Sequence, residues 1–548
     1  MMDLSFRWPF PRLDTPLGQV SVRLHTFENV YAMDPASLET LHDARTVTLR
    51  STRLAWAGGQ RTCEGRLEVR VIGTGTGGTG TDGELRLSVT GHHPDGVRSV
   101  AITLHDQPTG RLTHLREGAI DITDAGRIIR YPDGWWDLAT AHLVVEQPER
   151  APLSIRSTDH LPRPKTLAFV PHFDDPALME IELLLEADAT EPSATLDAPA
   201  WAMQRTADIA PLVAAHRRHV AEAFPADPWE TRADVPDWAR GVGLVLTLHG
   251  QHYTGRTFLT YDDALDRIKQ VSEWVDPTRL LAYLPGWEGR YYRWYGRYDT
   301  DDSLGGAAGF ARLVDGAHQL GVHVMPMFGA NIASRDIPGF ERWGEPGRQL
   351  TASGLAPVGS VDWDASRHFD HGFGAVITTA YQPWRRHLVD QIAELQRRFG
   401  FDASFLDISA MYANDPRGRT TDGIRALVTE LHDAIHNHLV AGEGWFDAIA
   451  DVVPLVQAGH RLNIPAYHDV PDEELFTRTN RAFGHVNLGD AAHGSSGVHE
   501  AGYVRAWRTP VRRGVVPTMS IVDDTLASAP DRVRLIIADA REYIDRYL

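Results

Sequence analysis

The chain has 548 residues, of which 43% are hydrophobic and 23% charged, and its formal net charge is −19. That length exceeds one hydrophobic core and calls for two or three domains. The acidic balance excludes the broad basic face that nucleic acid or an anionic membrane needs in a partner.

Cys63 is the sole cysteine, so neither an intrachain disulfide nor a cysteine-rich metal site can form. The opening MMDLSFRWPFPRLD lacks the basic start and apolar centre of a signal peptide. No apolar run reaches the ~18 residues needed to span a membrane. These features point to the cytoplasm and are compatible with a homo-oligomer.

Residues 1–200 predict an antiparallel β-sandwich. Short alternating runs recur with turn residues between them: QVSVRLHTF, TVTLRST, RLEVRVIG, ELRLSVTG, VRSVAITLHD, TAHLVVEQ, TLAFVPHF and MEIELLLEAD. GTGTGGTGTDG (Gly73–Gly83) reads as a hairpin tip. It lacks the lysine and the following helix of a phosphate loop. EPSATLDAPAW (Glu191–Trp201) has the proline and small residues of a linker. Residues 201–240 then read as a helical linker. Ile209, Leu212, Val213, His216 and Val220 share one helix face there, which places the helix between the domains.

Residues 241–548 predict a (β/α)8 TIM barrel, because short apolar strands alternate with longer amphipathic helices. The strands are read at Gly243–Gly250, Arg279–Trp287, His323–Asn331 and Ala403–Ser409, then at His438–Trp445, Asn463–Val470, Ala482–Asp490 and Val515–Asp524. Helices are read at Pro383–Gly400 and Gly423–His438, and over the final twenty residues.

In this frame Asp407 closes the fourth strand and Glu443 the fifth. The carboxyl ends of barrel strands form the catalytic face, and adjacent strands put their ends side by side. Carboxylates are seldom buried without a reason, and paired carboxyls are what glycosidic cleavage requires. Each also has a plainer reading: Asp407 as the cap of the next loop, Glu443 as an exposed residue in a tight turn. Adjacent strands favour a short separation, hence Asp407 as nucleophile and Glu443 as the general acid/base with the raised pKa. The sequence allows the roles to be exchanged.

GWEGRYYRWYGRYDTDD (Gly286–Asp302) follows the second strand. Its aromatics suit the apolar faces of sugar rings, with Trp287 and Tyr292 as walls and Glu288 and Arg290 as hydroxyl partners. Trp445 offers another wall. Asn331, Asp490 and Asp523 are strand-end groups that could orient a sugar. His249 and His252 in LHGQH are not the alternating pair that opens metal-dependent amidohydrolase barrels, and His485, His493 and His499 are scattered. No metal and no cofactor are therefore expected.

The arrangement resembles retaining α-glycosidases in which a β-sandwich precedes a barrel. In the α-amylase superfamily and its relatives the nucleophile is an aspartate after strand four and the acid/base a glutamate after strand five. ASFLDIS and LVAGEGW match those places. The domain order and the Asp-to-Glu spacing are most similar to the endo-α-N-acetylgalactosaminidase type. The chain departs from α-amylases proper, since Ser404, Phe405 and Leu406 precede Asp407 where an arginine-x-aspartate motif would stand. The resemblance covers about residues 240–530. It implies a glycoside hydrolase acting on an α-linkage with retention, a carbohydrate as partner and no obligatory cofactor. A transglycosylase, a metal-dependent barrel hydrolase and a non-catalytic sugar-binding barrel are the alternatives.

Overall fold

The computed structural model describes residues 11–548 apart from 44, 57–58, 74–82, 115–119, 124, 136, 252–254, 290–293, 356–373, 458–472 and 485–510. The chain divides into two compact units, the first running to Pro225 and the second starting at Ala226.

The first unit carries a 16-stranded antiparallel sheet. Leu112 lies near one end of its hydrogen-bonded order and Ile129 at the other, yet both belong to one buried cluster. The sheet therefore closes over itself around a single core, as the alternating runs require. Along Leu178–Glu186 every second side chain, from Met179 to Leu185, is buried. Each such side chain contributes roughly 1.5–3 kcal/mol over an exposed position. The glycine-rich tip at 74–82 lies outside the described residues. The strands on either side of it, Thr62–Gly73 and Leu85–His92, pair antiparallel.

The expected linker at Glu191–Trp201 is a strand instead. Thr195–Arg205 pairs with Leu85–His92 and buries Leu196, Ala198 and Trp201. Its register slips between Ala198 and Trp201, where Pro199 stands. A bulge is where a sheet accepts a residue without an N–H, so proline does not break this strand.

Helix α1 (Ala210–Ala223) buries Leu212, Val213, His216 and Val220, as its spacing predicts. His216 hydrogen-bonds Thr140 and packs on His142 with ring centroids 4.9 Å apart. Burial first, then Arg156, lowers the His142 pKa to about 4. Burial also holds His216 well below the ordinary histidine value of 6.5, helped by His142 and His219. Both stay neutral when folded and take up a proton once unfolded, so their stabilisation is complete above about pH 6.5 and is lost as pH falls towards 4. The urea midpoint of this unit should fall between about pH 6.5 and 5, above the range of most carboxylates. A midpoint unchanged over that interval would contradict it.

The second unit holds eight parallel strands. They are β1 (Leu244–Leu248), β2 (Leu280–Leu284), β3 (His323–Gly329), β4 (Ala403–Asp407), β5 (Leu439–Glu443), β6 (Leu455–Gln457), β7 (Arg481–Phe483) and β8 (Thr518–Ile521). Neighbours run β7-β6-β5-β4-β3-β2-β1-β8. The ring closes where Ala482 bridges Val515 ahead of β8 and accepts a 2.8 Å bond from the Val516 N–H. Every residue of β1, β2, β4 and β5 is buried, the condition of strands covered on both faces.

The sixth strand differs from the sequence reading. The sheet uses Leu455–Gln457, while Asn463–Val470 lies outside the described residues. Pro454 stands just before this strand, where its missing N–H costs the ladder nothing. A three-residue strand behind a proline gives little periodicity to read.

Helix α2 (Tyr261–Ser272) opens on a capping box between Thr260 and Asp263. Helix α3 spans Gly306–Leu320. Helix α4 (Gln382–Phe399) has Pro383 in its first turn and ends on Gly400 in the left-handed region. Helix α5 (Thr420–Ala434) buries Ile424, Leu427, Val428 and Leu431. The closing helix α6 is Pro530–Tyr547.

Candidate active site

Strands β4 and β5 are direct neighbours, with Leu406 opposite Gly442. Asp407 and Glu443, one residue further on, therefore leave the carboxyl ends of adjacent strands. Both are buried, and they lie close enough for the charge of Glu443 to act on Asp407. Tyr295 donates its hydroxyl proton to Asp407 Oδ2 at 2.7 Å. The Ile408 N–H donates to Glu443 Oε2 at 3.0 Å.

Burial, and after it the charge of Glu443, pushes the Asp407 carboxyl well above the ordinary aspartate range. Two buried carboxyls at neighbouring strand ends disfavour each other's ionisation. The sequence points to a raised value on Glu443 alone. The structure shows the rise on Asp407 instead, where burial acts first and the Glu443 charge second.

The turn after Asp407 wraps Glu443. Ser409 Oγ donates to the Glu443 carbonyl at 3.2 Å and accepts the Glu443 N–H at 3.0 Å. The Ala410 N–H reaches the same carbonyl at 3.1 Å. This wrapping is possible because residue 442 is glycine: a Cβ there would collide with Ser409 Oγ. Gly444, at φ 74°, turns the chain directly after Glu443 and donates its N–H to the Gln457 carbonyl at 2.9 Å. Ile408 itself sits at φ 50°. That conformation costs a non-glycine residue about 1–2 kcal/mol, and a β-branched one is a genuine outlier there.

Glu288, on the loop after β2, is 3% exposed. Among the described residues, no other residue hydrogen-bonds either of its buried carboxyl oxygens. Burial, with Asp301 adding, raises its pKa to about 8. Its charge is felt by Asp407 and Tyr298. A carboxyl raised this far gives stability at low pH that is lost as pH climbs from about 4.5 through about 8. At ~1.4 kcal/mol per unit the loss is of the order of several kcal/mol. Glu288→Gln cannot ionise, so its melting temperature relative to the wild type should rise steadily between about pH 5 and pH 8. A difference that does not change with pH would contradict this protonation state.

Of the other expected site residues that are described, Asn331 joins the turn beside the pair, whereas Trp287 and Trp445 turn into the core. The Trp287 ring is buried between Phe310 and Phe328, and its indole N–H donates to the Met327 carbonyl at 2.9 Å. Trp445 is buried edge-on against Phe476. Both rings are enclosed by protein, so neither offers an open stacking wall. Asn331, 1% exposed, donates from Nδ2 to the Ile408 carbonyl at 2.8 Å. Asp523 accepts from Arg256 Nη2 at 3.0 Å. Arg290, Tyr292 and Asp490 lie outside the described residues, as do His252, His485, His493 and His499.

Tyr295 and Ile408 are site residues that sequence reasoning misses. Tyr295 stands among six aromatics within twelve positions, but a loop has no periodicity to say which one turns inwards. The backbone role of Ile408 has no sequence signal. Among the described residues, Asp106, His172 and Glu180 of the first unit could share a metal ion, their ligand atoms lying within 4.8 Å of one another. Internal partners already balance them: His172 Nε2 is 3.1 Å from Glu180 and Arg12 is 3.5 Å from Asp106.

No family model and no curated protein matches the sequence. Solved structures do match in fold. The α-N-acetylgalactosaminidase NagBb from Bifidobacterium bifidum, in complex with GalNAc, superposes with a TM-score of 0.64 at 12% identity, over 95% of this chain and 87% of that one. Its ligand-free form gives 0.64 at 12%, over 96% and 89%. A doubly substituted form of the GH36 α-galactosidase AgaA from Geobacillus stearothermophilus, in complex with raffinose, gives 0.50 at 10%, over 96% and 73%. At these identities the likeness is one of fold. It is to sheet-plus-barrel proteins of this kind and not specifically to the α-amylase superfamily that ASFLDIS and LVAGEGW resemble.

Proposed function

We propose that the chain is a retaining α-glycoside hydrolase in which Asp407 is the nucleophile and Glu443 the general acid/base. The single observation that carries this reading is the placing of two buried carboxyls at the ends of adjacent barrel strands. Ends of adjacent strands favour the shorter carboxyl separation that goes with retention over the wider gap that admits a water and gives inversion.

In the first step an Asp407 oxygen forms a bond to the anomeric carbon. The glycosidic C–O bond breaks, and Glu443 passes its proton to the departing oxygen. In the second step water attacks the same carbon, Glu443 takes the water's proton, and the bond to Asp407 breaks. For this step Asp407 must be ionised and the proton must lie on Glu443, so substrate binding has to reverse the rise that burial imposes on the free Asp407 carboxyl. Tyr295 supports the charge on Asp407 when that carboxylate is released. Glu288, neutral near pH 7, spares Asp407 a further negative charge while it keeps its proton. Arg290, Tyr292 and Asp490 remain candidates to line the sugar, and Asp523 to orient it through the loop after β8.

The neighbours of similar fold act on α-linked N-acetylgalactosamine and galactose, so terminal α-galacto-configured sugars are the first substrates to try. A short oligosaccharide or simple glycoside fits an acidic chain without a basic face for a polyanion. The test is a panel of aryl α- and β-glycosides with the first-formed product followed by NMR. The reading expects α-glycosides alone to be cleaved, with the α-anomer appearing first. A β-anomer as first product would overturn retention, and cleavage confined to β-glycosides would overturn the linkage.

A further inference from the structure

We propose that Asn331 is a positioning residue that acts through the Ile408 peptide to hold Glu443 in place. The inference rests on reading Glu443 as the acid/base, and it gives Asn331 a role other than contact with sugar.

The observations form one connected path across three strand ends. Asn331 lies just beyond β3, almost fully buried, and its own carbonyl accepts the Ile377 N–H at 2.8 Å. The preceding residue is fixed as well: Ala330 donates its N–H to the Asp407 carbonyl at 3.0 Å and accepts from Trp384 Nε1 at 2.8 Å. From this anchored position Asn331 Nδ2 reaches the Ile408 carbonyl at 2.8 Å. On the other side of the same residue, the Ile408 N–H reaches Glu443 Oε2 at 3.0 Å. Between those two bonds lies the one backbone angle an isoleucine resists, φ 50°.

The strained angle is what makes the two bonds consequential. An isoleucine released from its anchors returns to negative φ, and the rotation carries its N–H away from Glu443. Met411 also donates to the Ile408 carbonyl, at 3.2 Å, but it belongs to the same turn and moves with it. Ser409 and Ala410 tie the turn to the Glu443 backbone, and Asn331 adds the side-chain hold on the Ile408 carbonyl itself from the end of β3. Without it, Glu443 loses the donor that fixes one oxygen and so the direction of the other.

Three variants test this: N331A, I408G and N331A/I408G. Glycine accepts positive φ without an anchor. On an aryl glycoside with a poor leaving group, N331A should lower kcat by about 10- to 100-fold with little change in KM, as expected for a misplaced proton donor. The same Asn331 substitution made in the I408G background should cost about ten-fold less, since the strained angle no longer needs holding. An equal loss in both backgrounds, or a loss carried by KM, would overturn the proposal and return Asn331 to substrate contact. Crystal structures of N331A and the wild type decide the matter independently of turnover. Ile408 at negative φ with its N–H off Glu443 supports the proposal; Ile408 unchanged overturns it. If the wild type cleaves no glycoside, the proposed function fails, and the two crystal structures still show whether Asn331 holds the Ile408 peptide.

Discussion

Asp407→Ala should reduce turnover by roughly four orders of magnitude or more, with the protein still folded. The alanine has no oxygen to form a bond to the anomeric carbon, and Glu443 cannot be proton donor and nucleophile in the same step. The structural cost is modest. Tyr295 loses the acceptor of its 2.7 Å bond, worth about 1–3 kcal/mol when a buried donor is left unpaired. Against this, a buried carboxyl crowded by another is removed, which relieves desolvation and repulsion. A stopped assay on the best aryl glycoside, with circular dichroism as the folding control, checks it. A folded variant within ten-fold of wild type would remove Asp407 from the mechanism.

Glu443→Gln should show a different signature. The amide keeps an oxygen to accept the Ile408 N–H, so the wrapped turn survives, but it has no proton to give. The expected loss is about 100- to 10,000-fold where the departing group is a poor one. It should shrink with an activated leaving group such as a dinitrophenolate, which departs without protonation. Asp407→Ala should gain nothing from the same substrate. Rates measured across a series of leaving groups separate the two acids: a steep dependence in the Glu443 variant alone fits the assignment. A steep dependence in the Asp407 variant with none in the Glu443 variant would exchange their roles.

The fold is legible in the sequence wherever periodicity is long enough to carry it. Met179 to Leu185 alternate, and α4 buries Trp384, Leu388, Ile392 and Leu395 on one stripe. The short apolar runs before Asp407 and Glu443 read as strands because both faces are covered, and that places the two acids on neighbouring ends. Legibility fails where composition and context disagree. Pro199 looks like part of a linker and sits in a strand bulge. Pro454 hides the start of β6. The aromatic loop after β2 announces a crowded region but not its direction: Trp287, the residue that looks most like a stacking wall, turns into the core, whereas Tyr295 reaches Asp407. Glu288 is legible as a polar group of the aromatic loop, yet its lack of a hydrogen-bonding neighbour among the described residues is a property of packing. The Ile408 angle follows from hydrogen bonds to residues 77 and 35 positions away, a separation no local pattern encodes.

The most direct measurement is covalent trapping. A 2-deoxy-2-fluoro α-glycoside with a good leaving group slows release of a glycosyl-enzyme, and peptide mass spectrometry then locates the sugar. One sugar esterified to Asp407 is the result this account predicts. A sugar on Glu443, or turnover with inverted anomer and no adduct on either acid, would contradict it.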